Sequence, residues 1–135
     1  MQQPRVPFLV AATGPRGLRL AAEFGTGWVT YGDPNGPADG PGAGAPAIVS
    51  AQMARLEAAC ATAGREYQSV DKVLLQGLTT ERPLESVDAF VDWAGTYRDM
   101  GVTEIVVHWP VPDSVFASPV DVFERIAAES MTQLR

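Results

Sequence analysis

Apolar positions along the chain fall into two kinds of run, short continuous ones and longer ones with helical spacing. Phe8-Leu9-Val10-Ala11-Ala12 is continuous and bounded by Pro7 and by Thr13-Gly14-Pro15, which predicts a buried parallel strand. Pro15 to Phe24 then predicts a helix: proline suits the first turn, Leu18, Ala21 and Ala22 share a face, and Gly25 supplies a left-handed stop. Trp28-Val29-Thr30-Tyr31 predicts a second strand. A second helix follows from about Ala47 to Ala63, where Val49, Met53, Leu56 and Cys60 draw one stripe that ends at Gly64.

The same alternation continues. Val73 to Leu78 predicts the third strand, and Leu84 to Met100 a helix with Val87, Phe90, Val91, Ala94 and Tyr97 on one side, closed by Gly101. Glu104 to Trp109 predicts the fourth strand. Ser118-Pro119-Val120-Asp121 has the form of a capped helix start, with Phe123, Ile126 and Ala127 on the buried face that follows. The order β-α-β-α-β-α-β-α predicts an α/β fold, one domain over 1–135, with parallel strands and right-handed crossovers. A closed (β/α)8 barrel needs eight strands and about 250 residues, so four units predict half of one; an open doubly wound sheet is the alternative. Residues 32–46 hold five glycines and four prolines, a composition that supports neither ladder nor helix and predicts a mobile loop.

Charge narrows the function classes. Sixteen acidic against ten basic residues give −6, a field that repels phosphate backbones and anionic lipid, so neither nucleic acid nor a membrane surface is an expected partner. One cysteine, Cys60, allows no disulfide within the chain and no thiolate cluster, and one histidine, His108, allows no His-rich metal site. No apolar run reaches the roughly 20 residues of a membrane helix, and Met1 to Arg5 carries no signal-peptide pattern; a cytoplasmic protein is expected.

The candidate chemistry lies at the first strand-helix junction. In Ala12-Thr13-Gly14-Pro15-Arg16-Gly17, small residues admit a ligand to the backbone. The helix start offers free N–H groups and the positive dipole end, to which Arg16 and the Thr13 hydroxyl add. It is neither a GxGxxG nor a Walker loop, and taken alone a tight turn before a Pro-started helix is the plainer explanation. His108, at the end of the fourth strand, is a weaker catalytic candidate. Cys60 reads as core, Asp88, Asp92, Asp99, Glu124 and Glu129 as a solvated face, and Arg65 as a partner for a carboxylate or a helix end. No nucleophile, base and acid stand in a catalytic pattern.

The segment Val6 to Ala22 followed by Gly27-Trp28 resembles the cofactor-phosphate region of the bacterial-luciferase-like flavin monooxygenases and the related deazaflavin-dependent oxidoreductases. Ala58 to Arg65 and Tyr97 to Pro110 agree with that family in order and spacing, and the resemblance spans about residues 5 to 129. It implies a (β/α)8 fold of which this chain matches the C-terminal half. The implied cofactor is FMN or a deazaflavin coenzyme, its phosphate or ring edge lined by Ala12, Thr13, Gly14 and Pro15 with Arg16 and Gly17 close by. The implied reaction is monooxygenation or hydride transfer on a small molecule. Thr26 stands where the family has an aspartate, and the family's other half supplies much of the flavin pocket. The expectation is therefore a truncated luciferase-like oxidoreductase, paired as a homodimer or with a complementary barrel half. Two alternatives are a non-catalytic half-barrel remnant acting as a subunit, and an open α/β module that binds another phosphorylated ligand at the same turn.

Overall fold

Each of the four expected strand-helix units forms in the computed structural model, which describes residues 5–33 and 45–134. Strands β1 (Leu9–Ala11), β2 (Gly27–Thr30), β3 (Asp71–Leu75) and β4 (Glu104–Val106) alternate with helices α1 (Pro15–Phe24), α2 (Ala45–Ala63), α3 (Val87–Met100) and α4 (Val120–Gln133). Among the described residues the strands make one sheet in the order β1-β2-β3-β4, every pair parallel. This is the arrangement of half a (β/α)8 barrel. The expected loop at 32–46 lies almost wholly outside the described residues.

Register and alternation divide the sheet into two faces. Val10, Trp28, Leu74 and Ile105 are level with or adjacent to one another in the ladder and pack against Leu18, Ala22, Val49, Leu56 and Tyr97 of the helices. The opposite face carries Leu9, Ala11, Val29, Val73 and Val106, together with Asp71 and Glu104. On that face Leu9 and Val106 are exposed at the two edge strands, whereas Val73 in the middle is buried. The run Phe8–Ala12 is therefore not the buried strand its composition predicts. An apolar run signals two packed faces, and this edge strand has only one. Asp71 and Glu104 make that opposite face only partly apolar.

Helix boundaries show which local signals prevailed. Gly25 does not take the expected left-handed conformation; its φ is −73° and ψ 146°. Glycine is needed there for room, since a Cβ would stand 2.8 Å from the Ala21 carbonyl oxygen. Gly64 and Gly101 are left-handed, at φ 68° and 103°, as helix stops commonly are. The stretch from Leu84 is broken: Pro83–Glu85 forms a 3-10 turn, and Ser86 caps α3 by accepting a hydrogen bond from the Ala89 amide. The expected cap at Ser118 does not form. Pro119 occupies the cap position in extended geometry and the Ser118 hydroxyl has no partner. The tight turn before it, with Val111 N–H to Phe116 O and Ala117 N–H to Ser114 O, delays the helix by one residue. Ala127 is exposed rather than buried and borders an apolar groove between β4 and helices α3 and α4.

Lys72 is the unexpected member of the core. It is only 2% exposed, on the helix-facing side of β3, with Nζ 3.3 Å from the Tyr67 carbonyl and 4.3 Å from the Tyr67 ring centroid. Burial lowers its pKa from the usual 10.5. The folded chain thus holds this proton less tightly than the unfolded chain, and stability rises as pH climbs through the lowered value toward 10.5. Burial raises the phenols of Tyr67 and Tyr97. They act in the opposite sense above about pH 10, where the unfolded phenols ionise. Lys72→Met is expected to stabilise the protein at pH 7 by about 1 kcal/mol, because the Tyr67 carbonyl keeps the Val70 amide as a donor. Urea unfolding at a series of pH values checks this. The difference between the two proteins shrinks toward pH 10.5 if burial of the ammonium is the cause, and stays constant if side-chain packing is.

Candidate functional site

Because all four strands run in parallel, their C-terminal ends form one rim, and the β1–α1 turn stands on it. The turn is fixed at one end and open at the other. At the fixed end, the Ala12 carbonyl accepts the Trp28 indole N–H at 2.6 Å, and the Ala12 amide donates to Val29 O at 3.4 Å. Gly17 seats the first turn of α1 on Ala12 so closely that a Cβ there would lie 2.4 Å from the Ala12 Cβ. Gly17 is thus a packing residue that sets where the helix begins.

At the open end, Thr13, Gly14, Pro15 and Arg16 are exposed. A Cβ on Gly14 would meet nothing within 4 Å. Pro15 opens the helix without an N–H, and the first helical donor is Leu18, which bonds to Gly14 O at 3.0 Å. The Arg16 and Gly17 amides precede it and have no helical acceptor. No side chain caps α1 and no acid lies in its first turn, so the positive dipole end is uncompensated from within the helix. Arg16 enters no ion pair among the described residues. Chemically the turn is an exposed anion cradle with one adjacent cation.

The sheet brings His108 to the same rim but not to the same place. β4 ends at Val106, earlier than expected, and the His108 ring stacks on Phe116 with centroids 3.9 Å apart. Both rings lie beside Gly77, whose φ of 117° and lack of a side chain leave room for them. β1 and β4 are opposite edges of the sheet, and three strand spacings of about 4.8 Å separate them by roughly 14 Å. Within one chain, His108 and the Thr13–Arg16 turn do not form one constellation.

Two features of the rim lie outside the sequence expectations. Gln52, inside the apolar stripe of α2, is buried and accepts the Thr30 hydroxyl proton through Oε1, while its amide donates to Gly32 O at 3.3 Å. The Gly32 amide returns a bond to Thr30 Oγ1 at 3.0 Å. This closed set holds the end of β2 against α2 where the 32–46 segment departs. Between the β3–α3 and β4–α4 connections lies a cleft of about 340 Å³, bordered by Gln76, Glu81, Arg82, Phe116 and Ser118. Glu81 is committed there, accepting the Tyr97 hydroxyl at 3.0 Å. Burial, and then the Glu81 charge, hold that phenol far above its usual range.

The remaining candidates take structural roles. Cys60 is fully buried, and burial raises its thiol. Arg65 binds a helix end, donating to Ala22 O and Gly25 O at the close of α1. Asp88, Asp92, Asp99, Glu124 and Glu129 are exposed. Thr26 bonds Phe8 twice, its amide donating to Phe8 O at 2.7 Å and its hydroxyl accepting the Phe8 amide at 3.2 Å. No group of His, Cys, Asp and Glu among the described residues is disposed to hold a metal, and no described helix is long and apolar enough to cross a membrane. Searches with protein-family profiles and against curated proteins find no match to this sequence.

Proposed function

We propose that this chain is a luciferase-like half barrel that binds the phosphate of FMN or of a deazaflavin coenzyme at the β1–α1 turn. The observation that carries this reading is the exposed, uncapped and acid-free start of α1, with Arg16 beside it and open space at Gly14. The residues fit an anionic group: the Arg16 and Gly17 amides and the Arg16 guanidinium would hold it, and Thr13 would add a hydroxyl. When bound, such a cofactor supplies the redox chemistry, in the class of monooxygenation or hydride transfer. The chain's own part is to bind and orient it on the rim.

A second reading, a half barrel that binds but does not catalyse, is favoured by one specific observation. His108 and the cradle stand on opposite edges of the sheet, so within one chain His108 does not reach an anion bound there. A third ligand class, another phosphorylated small molecule, is separated from these by titration.

The test is a fluorescence titration of the full chain with FMN, with a deazaflavin coenzyme and with inorganic phosphate as competitor. Gly14→Trp is run alongside, because a bulky side chain there fills the cradle without touching the core. Saturable micromolar binding that phosphate weakens, and that Gly14→Trp reduces by tenfold or more (about 1.4 kcal/mol), is the expected result. Binding that the variant leaves unchanged removes the turn as the site. Failure of either cofactor to bind removes the flavin reading.

A further inference from the structure

We infer that two copies of this chain close into one eight-stranded barrel, with β4 of each copy beside β1 of the other and α4 packed on the partner's α1. The two open edges belong to the same parallel sheet, so one copy's β1 presents the kind of edge that the other's β4 lacks. A twofold arrangement satisfies both edges of both copies at once and leaves none free, so the assembly stops at two.

Three further observations point to a second copy as the occupant of these edges. Exposed apolar side chains are concentrated at both ends of the half barrel. Phe8, Leu9, Leu20 and Phe24 mark the β1–α1 end, and Val106 and Met131 the β4–α4 end. At the β4–α4 end an apolar groove of about 540 Å³, bordered by Phe90, Ile105, Phe123, Ala127 and Met131, lies between β4 and its covering helices. This is where side chains of a following strand-helix unit pack in a closed barrel. The two ends also differ in sign. α1 carries Arg16 and Arg19 against Glu23, a net +1, whereas α4 carries Asp121, Glu124 and Glu129 against Arg125, a net −2. In a chain of net charge −6, like ends repel and α1 is drawn to the partner's α4.

The pairing has a consequence for the rim that rests on the cofactor reading. With β4 beside the partner's β1, His108 just beyond β4 comes next to the partner's Thr13–Arg16 turn. Each cradle then gains the acid-base side chain that its own chain holds at the opposite edge, and the barrel carries two such composite sites.

Sedimentation equilibrium of the full chain tests the assembly without any cofactor. The expected species at tens of micromolar is a dimer of the 14.4 kDa chain. Phe24→Glu places an acid opposite acidic α4, and Met131→Lys places a base opposite basic α1; each is expected to weaken the dimer at least tenfold. Both positions are exposed, at 53% and 66%, and circular dichroism checks that the variants remain folded. Mixed in equal amounts, the two variants are expected to dimerise again, because the mixed pair has one native contact and one compensated contact. Hydrogen exchange of the unaltered chain gives a readout free of mutation: the Leu9, Ala11 and Ile105 amides, which face the open edges, gain protection as concentration rises. A monomer at tens of micromolar overturns the proposal. So does a dimer that both variants leave intact, a mixture no tighter than its components, or protection confined to other segments. A dimer meeting these criteria upholds the pairing whether or not FMN binds, and a cofactor-binding monomer overturns the pairing alone.

Discussion

Trp28→Ala is expected to remove about 3–5 kcal/mol of stability, a large fraction of the roughly 5–15 kcal/mol of a single domain. The Trp28 side chain is fully buried in the layer between the sheet and helices α1 and α2, among Leu18, Ala22 and Leu56. Its neighbours Ala21 and Ala22 are small, so little side chain is available to collapse into the space an alanine leaves. The loss also has a functional component. The indole N–H that fixes Ala12 O disappears, and the turn that begins the candidate site loses its anchor. Trp28→Phe separates the two effects, since it retains most of the apolar bulk and loses only the donor, at a cost of about 1–3 kcal/mol. Urea unfolding followed by circular dichroism measures both variants. A loss below about 1 kcal/mol for the alanine variant contradicts the packing described for this layer.

The sequence shows the helices more sharply than the strands, for a physical reason. A helix displays its buried stripe and its terminators locally, and α1 spans the expected Pro15–Phe24. The buried positions of α2, Val49, Met53, Leu56 and Cys60, are those the spacing marks. A strand's surroundings are not local. Phe8 to Ala12 reads as buried on both faces because nothing within the run states that one face has no cover. Ser118 precedes an acid at capping spacing and Ser86 does not, yet only Ser86 caps a helix; the difference lies in the Val111–Ala117 turn that delivers the chain to Pro119. The site shows the same divide. The sequence puts Arg16 and His108 at strand ends, and hence on one rim, but the strand order that sets them at opposite edges is a property of the assembled sheet. Gln52 falls on the buried stripe of α2, between Val49 and Leu56, but nothing local names Thr30 and the Gly32 carbonyl as the partners that satisfy it there.

Gly17→Ala is expected to destabilise the protein by about 1–3 kcal/mol, against the usual sense of that change. Inside a helix, exchanging glycine for alanine normally stabilises by about 0.5–1 kcal/mol, and Gly95 in α3 provides the control within the same molecule. A Cβ on Gly95 meets nothing within 4 Å, so Gly95→Ala is expected to show that gain. A Cβ on Gly17 falls 2.4 Å from the Ala12 Cβ, closer than two carbon atoms can stand, and the contact is with a short side chain that has no rotamer to yield. Relief requires the start of α1 to move off β1. That movement carries the Arg16 and Gly17 amides away from their place on the rim, so cofactor affinity is expected to fall by tenfold or more along with stability, whereas Gly95→Ala leaves affinity unchanged. Paired urea unfolding and FMN titration of the two variants read both effects. Equal stability of the two variants would show that α1 is not seated on Ala12 as described. Loss of stability with full affinity would separate the packing of this helix from the binding of an anion at its start.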